Sequence, residues 1–158
     1  MLLFVHVAIS LIGIATGFVV IWGFLNSKPL NAWTATFLAT TVGTSVTGFL
    51  FPITKLTPGI IFGLISLPLL GVAIYALYAK HLAGIWRPVY IVTAILAQYL
   101  NFFVLIVQSF LKVGFLHDLA PTQAEPPFAV AQGVALIAFL ALGFLSLRRY
   151  RPILAPAG

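Results

Sequence analysis

Cysteine is absent from this chain, and only two carboxylate side chains, Asp118 and Glu125, occur in 158 residues. The first absence excludes disulfides, thiolate metal sites and thiol redox chemistry, and leaves the redox compartment open. The second leaves no acid in mid-span to relay a proton. Catalytic signatures are missing as well: there is no Gly-x-Ser-x-Gly elbow, no phosphate-cradling glycine loop and no HExxH. Internal repeats of the kind that build inverted-repeat transporters are not visible either.

Charge is scarce, at 6% of residues against 62% hydrophobic, which is the composition of an integral membrane protein. A spanning helix needs about 20 apolar residues to cross roughly 30 Å of hydrocarbon. Five such stretches follow one another and leave no length for a soluble domain, so residues 1–158 read as a single transmembrane domain. The net charge of +6 does not indicate nucleic-acid binding, because the cations stand singly between apolar runs apart from Arg148, Arg149 and Arg151. That spacing is a topology signal.

The expected fold class is an all-α bundle of five transmembrane helices over residues 2–25, 32–51, 58–78, 88–112 and 127–147. The first stretch lacks a basic leader and a small-x-small cleavage site, and reads as a retained helix. It stops at Asn26-Ser-Lys-Pro29. Asn31 is the expected cap of the second helix, which ends at Pro52, and Thr57-Pro58 opens the third. Pro88 opens the fourth. Thr122 and Glu125 have capping-box spacing, so the fifth could start before Pro126.

With the N-terminus outside, Lys28, Lys80, Arg87, Arg148, Arg149 and Arg151 fall inside, and only Lys55 and Lys112 fall outside. Six cations against two favour N-out, C-in. Trp22, Trp33, Trp86, Tyr75, Tyr78, Tyr90 and Tyr150 cluster towards the same inner ends. The connector LHDLAPTQAEPPF, residues 116–128, then lies outside with both acids.

At about 100° per residue, His6, Ser10, Gly13 and Gly17 share a sector of about 60° on helix one. Gly59, Gly63, Ser66 and Ala73 share a face of helix three. These small residues read first as packing surfaces. Gln98, Asn101, Gln108 and Lys112 fall within about 80° on helix four. Amides in hydrocarbon need partners, so this stripe marks either interhelical bonds or a wet cavity. Thr44, Ser45 and Thr47 of helix two and Gln132 of helix five lie in the same outer half.

The candidate ligand pocket is therefore His6, Ser10, Thr44, Ser45, Asn101, Gln108 and Gln132, lined by helices one, two and four and covered by the loop from His117 to Pro127. His6, His117, Asp118 and Glu125 are the candidate ligands of a metal or haem. A b-type haem between His6 and His117 requires helix four to continue through Gly114. The plainer alternative is interfacial: histidines at headgroup level, Asp118 balancing Lys112, and Glu125 capping the last helix.

The strings TSVTGFLFP (44–52), YLNFFVLIVQSFLKV (99–113) and LAPTQAEPPFAVAQG (119–133) resemble an uncharacterised family of small bacterial polytopic inner-membrane proteins. The resemblance implies a bacterial cytoplasmic-membrane location and carries no activity, ligand or catalytic residue. The expected function is a membrane protein without catalytic residues that binds a small ligand or cofactor, haem or quinone among them, with an accessory role in a redox complex as one version of it. Its partners would be the lipid bilayer, a second copy or a membrane complex, and no nucleic acid. The alternative is a small oligomeric transporter or channel using the helix-four stripe.

Overall fold

The computed structural model describes residues 1–52 and 57–153. Its elements are all helical: α1 (Leu2–Leu25), α2 (Asn31–Gly48), α3 (Pro58–Ile74), α4 (Trp86–Lys112), the short α5 (Gly114–Leu119) and α6 (Pro126–Arg149). α3 runs on into a π-helical turn, Tyr75–Ala79. Four helices, Leu2–Leu25, Pro58–Ala79, Trp86–Lys112 and Pro126–Arg149, are long and apolar enough to cross a membrane. The chain is an all-α membrane protein. α2, with 18 residues and seven Ser or Thr, does not belong to that set of four.

Several boundaries differ from expectation for local reasons. Asn31 does not cap α2; Leu30 occupies the N-cap position with φ 32°, and no side chain caps it. α2 stops at Gly48 because Phe49 and Leu50 bond back three residues, to the carbonyls of Val46 and Thr47, before Pro52 turns Phe51 away from helix. α4 starts at Trp86, ahead of Pro88. The proline falls within the first turn, where its missing N–H leaves no gap in the hydrogen-bond ladder. Thr57 does cap α3, accepting from the Ile60 amide at 3.4 Å. Lys55, counted above on the outer side, lies outside the described residues.

Helices α1, α2, α3 and α4 pack in succession, α4 also packs on α6, and α1 touches both α4 and α6. At the end where α1, α3 and α6 finish, cations lie over rings: Lys28 is 5.2 Å from the Trp22 centroid, and Lys80 is 5.4 Å from Tyr75 and 5.8 Å from Trp86. Arg87 donates to the carbonyls of Leu147 at 3.2 Å and Tyr150 at 2.7 Å, which satisfies the end of α6 with a cation suited to its dipole. This basic end is closed by packing. Tyr150 is buried with its ring 4.7 Å from Phe24, and the Arg151 amide donates to Ser27 Oγ at 2.8 Å.

Midway along the bundle α4 is tied to α1. Gln98 is fully buried, and its Nε2 donates to the Ile14 carbonyl at 2.8 Å. The amide fits only because residue 17 is glycine, since a Cβ there would overlap the Gln98 side chain. Gly13 plays a similar part against α2, where a Cβ would sit 3.1 Å from Thr40 Oγ1. The expectation that these glycines serve close packing is met. Beside the Gln98 contact, Phe18, Phe102 and Phe139 form an aromatic cluster with centroids 5.6–6.0 Å apart.

Gly17→Ala should cost about 1–3 kcal/mol by overpacking. In a Gln98→Ala background the same change should cost much less, because the opposing amide is gone. Thermal unfolding of the four variants in detergent measures the coupling, and purely additive losses would show that the two residues do not meet.

Candidate functional site

Towards the end opposite the basic one, the four helices α1 to α4 enclose a cavity of about 450 Å³. Its lining includes His6, Ser10, Thr44, Ser45, Asn101 and Gln108, six of the seven residues expected to form a pocket. Lys112 lines it as well. The helix phases that put His6 with Ser10, and Asn101 with Gln108, therefore turn both stripes into one space. The wall not expected is α3, which contributes Gly59, Ile60, Phe62, Gly63 and Ser66. Its signal was present as the stripe Gly59, Gly63, Ser66, where two missing side chains leave room as readily as they allow contact.

Each polar group has an assigned neighbour or a notable lack of one. Thr47 Oγ1 lies 2.7 Å from the Gly43 carbonyl and 2.8 Å from His6 Nδ1, so one hydroxyl links the α2 backbone to the imidazole. The ring is also held edge-on to Phe51, 5.3 Å between centroids. Ser10 donates to the His6 carbonyl at 2.6 Å, Ser45 to the Thr41 carbonyl at 3.0 Å, and Asn101 to Thr41 Oγ1 at 3.3 Å. Thr44 Oγ1 is buried without a partner. A buried hydroxyl left so is costly.

Three residues of the fifth and sixth helices and their connector fall elsewhere. Gln132 faces α4 instead of the cavity, donating to the Phe103 carbonyl at 3.2 Å with its Oε1 unpartnered. His117 is exposed on α5 with Nδ1 3.3 Å from the Phe110 carbonyl, and Asp118 beside it is exposed. α4 does not continue to His117; Val113 is extended at φ −93°, ψ 113° and breaks it. His6 lines the cavity and His117 does not, so the two imidazoles do not share that space. Among the described residues no three His, Asp or Glu side chains converge as metal ligands would.

The acidic connector is not the cover of the cavity. Gln123, a residue the sequence reading passed over, takes a left-handed φ of 61° and donates from Nε2 to the Val107 carbonyl at 2.9 Å. Phe128 packs on Phe110 at 5.4 Å, and Ala120 is fully buried. The connector is thus folded onto the other face of α4, away from Gln108 and Lys112. Val107 and Phe110 are the residues of α4 that receive it, one and two positions off the polar stripe.

Glu125 is the N-cap of α6 by backbone geometry, φ −77° and ψ 153°, but its side chain does not cap that helix. It reaches back instead, accepting from Thr122 Oγ1 at 2.7 Å and from the amides of Thr122 at 3.3 Å and Ala124 at 3.1 Å. The capping-box spacing therefore closes a turn, and α6 begins at Pro126. The Thr122 hydroxyl, aided by those amides, holds the Glu125 carboxyl below its ordinary range.

Comparison with family models, with characterised proteins and with solved structures finds no match to this chain.

Because the folded Glu125 carboxyl is depressed, the turn should be intact above the ordinary carboxylate range and loosen as pH falls through the depressed value. Glu125 is the chain's single glutamate, so carboxyl-labelled glutamate gives one carbon resonance to titrate. Thr122→Ala should move that midpoint upward; an unchanged midpoint would remove the hydroxyl as the cause.

Proposed function

We propose that this chain is a bacterial inner-membrane protein that binds a small ligand in the α1–α4 cavity and performs no chemistry on it. In this reading it spans the membrane five times, N-out and C-in, with α2 as the fifth span. α2 is flanked by α1 and α3, and its hydroxyls bond inward: Thr36 to the Ala32 carbonyl at 2.9 Å, Thr40 to Thr36 at 2.7 Å, Thr47 to Gly43 at 2.7 Å. Those bonds reduce what a threonine-rich helix loses in lipid. The orientation is supported by the gathering of Lys28, Lys80, Arg87, Arg148, Arg149 and Arg151 at one end.

The observation that carries the function is the coincidence of the cavity with the polar stripes. Its volume of about 450 Å³ lies within the range of small-molecule sites, about 300–1,000 Å³, and its walls are apolar with a few convergent polar groups. A quinone or a haem of a redox complex is one kind of occupant this reading allows. The channel alternative is weakened by Gln98: the helix-four stripe ends at a fully buried amide bonded across to α1, which closes the path within one protomer.

Protein purified in mild detergent should carry a small molecule detectable by mass spectrometry of a solvent extract, and an absorption spectrum of the same sample reports any haem. Ser66→Phe places a ring in the cavity from a residue only 2% exposed, and should reduce the bound molecule about tenfold, the equivalent of about 1.4 kcal/mol. Equal extracts from wild-type and a folded Ser66→Phe protein would end the ligand-site reading.

A further inference from the structure

Among the described residues, the titratable groups lining the cavity are all basic. His6 and Lys112 line it, while Asp118 and Glu125 do not. The chain has only these two acids, so no carboxylate of its own enters the space to balance Lys112. A cation at the rim of an apolar cavity favours an anionic partner, because the low dielectric on three sides strengthens the attraction.

Polar capacity is also graded along the length. In the depth of the cavity, Ser45 and Asn101 are engaged by Thr41. Apolar surface from Ile14, Leu100 and Val104 surrounds them. At the rim, Gln108 and Lys112 are exposed. The lining residues of α1 run from Leu3 to Ile14, which at about 1.5 Å per residue is a length of about 16 Å. It is an elongated site with its charge at one end.

The exposure of its lining residues points to access from the side. Leu3, Val7 and Leu11 of α1 line the cavity and remain 51%, 40% and 50% exposed. Facing them across the opening, Gln108 and Lys112 of α4 are exposed liners too. α1 and α4 are joined at Gln98 and leave the space between them open towards Lys112, so the cavity faces the surroundings of the bundle. For a membrane helix pair those surroundings are lipid.

We propose that the cavity admits a single-chain amphiphile with an anionic head from the lipid phase, its head at Lys112 and its chain between α1 and α4 as far as Ile14. This rests on reading the cavity as a ligand site and names the class of ligand. Lys112 supplies the charge, Gln108 an amide donor beside it, and His6 the wall opposite. The long Lys112 side chain lays its methylenes on the apolar rim while its ammonium stays at headgroup level.

The test uses the full chain in nanodiscs of neutral phosphatidylcholine, with three photoactivatable probes of the same chain length bearing a carboxylate, a hydroxyl or an ammonium head. Cross-linked peptides are mapped by mass spectrometry. The carboxylate probe should label the segments 3–14 and 100–112 about tenfold more efficiently than the alcohol, the scale of one charge-assisted hydrogen bond. Lys112→Gln should abolish that preference, and Lys112→Arg should keep it. Equal labelling by all three probes would overturn the anionic head and leave the ligand site standing. Displacement of the carboxylate probe by a two-chain anionic lipid as effectively as by its unlabelled single-chain form would overturn the single chain. Failure of every probe to label these segments would overturn both the inference and the site.

Discussion

An amide in the middle of a lipid-embedded bundle has few partners to find, and the rest of this structure is arranged around the one bond Gln98 makes, with its Oε1 left buried and unpartnered. Its Nε2 bonds the Ile14 carbonyl at 2.8 Å, using the second lone pair of an oxygen already within a helix. The bond fixes where α1 and α4 meet, and the glycine at 17 fixes how closely. Below that level the helices close over Val20, Phe24 and Tyr90 and the capped basic end. Above it the same two helices enclose empty volume with α2 and α3. The contact thus divides a packed half from an open half.

That division accounts for where polar atoms are tolerated. In the packed half they are capped at the surface, as Arg87 caps α6, or lie over rings, as Lys28 and Lys80 do. In the open half most hydroxyls return to their own helix backbone, which frees α2 from needing partners elsewhere. The rim residues Gln108 and Lys112 remain as groups that an occupant could use. A bundle built only for stability would have filled this volume with Leu or Phe side chains, since an apolar contact costs less than a buried free hydroxyl.

Much of this was readable from residue spacing, and the failures have a common cause. α1 was placed to the residue, since Asn26 to Pro29 is a dense stop signal, and Thr57-Pro58 marked the start of α3. The helical phase placed His6 with Ser10 and Asn101 with Gln108, because phase is intrinsic to one helix. Phase says nothing about which neighbour a face meets. Gln132 was set at the right depth but its face turned out to meet Phe103, and the glycines of α3 gave no hint whether they marked contact or space. The connector was harder still. Its direction depends on one left-handed residue, Gln123, and on a bond to a carbonyl 16 residues earlier, and neither has a sequence signature. The end of α4 at Lys112 is legible, whereas α5 is not, because a six-residue helix is too short to show a helical period.

The two acids illustrate the same point from the side of function. Their scarcity suggested a lid above the polar half of the bundle, yet both stay out of the cavity. Glu125 spends its charge on closing the turn from Thr122, and Asp118 stands exposed on α5. Placing them elsewhere is what leaves Lys112 uncompensated at the rim. A carboxylate of the chain inside the cavity would bind Lys112 and make the site neutral, with no preference for the charge of a ligand. Keeping acids out of the cavity therefore does for the site what Gln98 does for the fold: it distinguishes the two ends of the bundle, one closed and basic, the other open with Lys112 as the one lysine or arginine among the described lining residues.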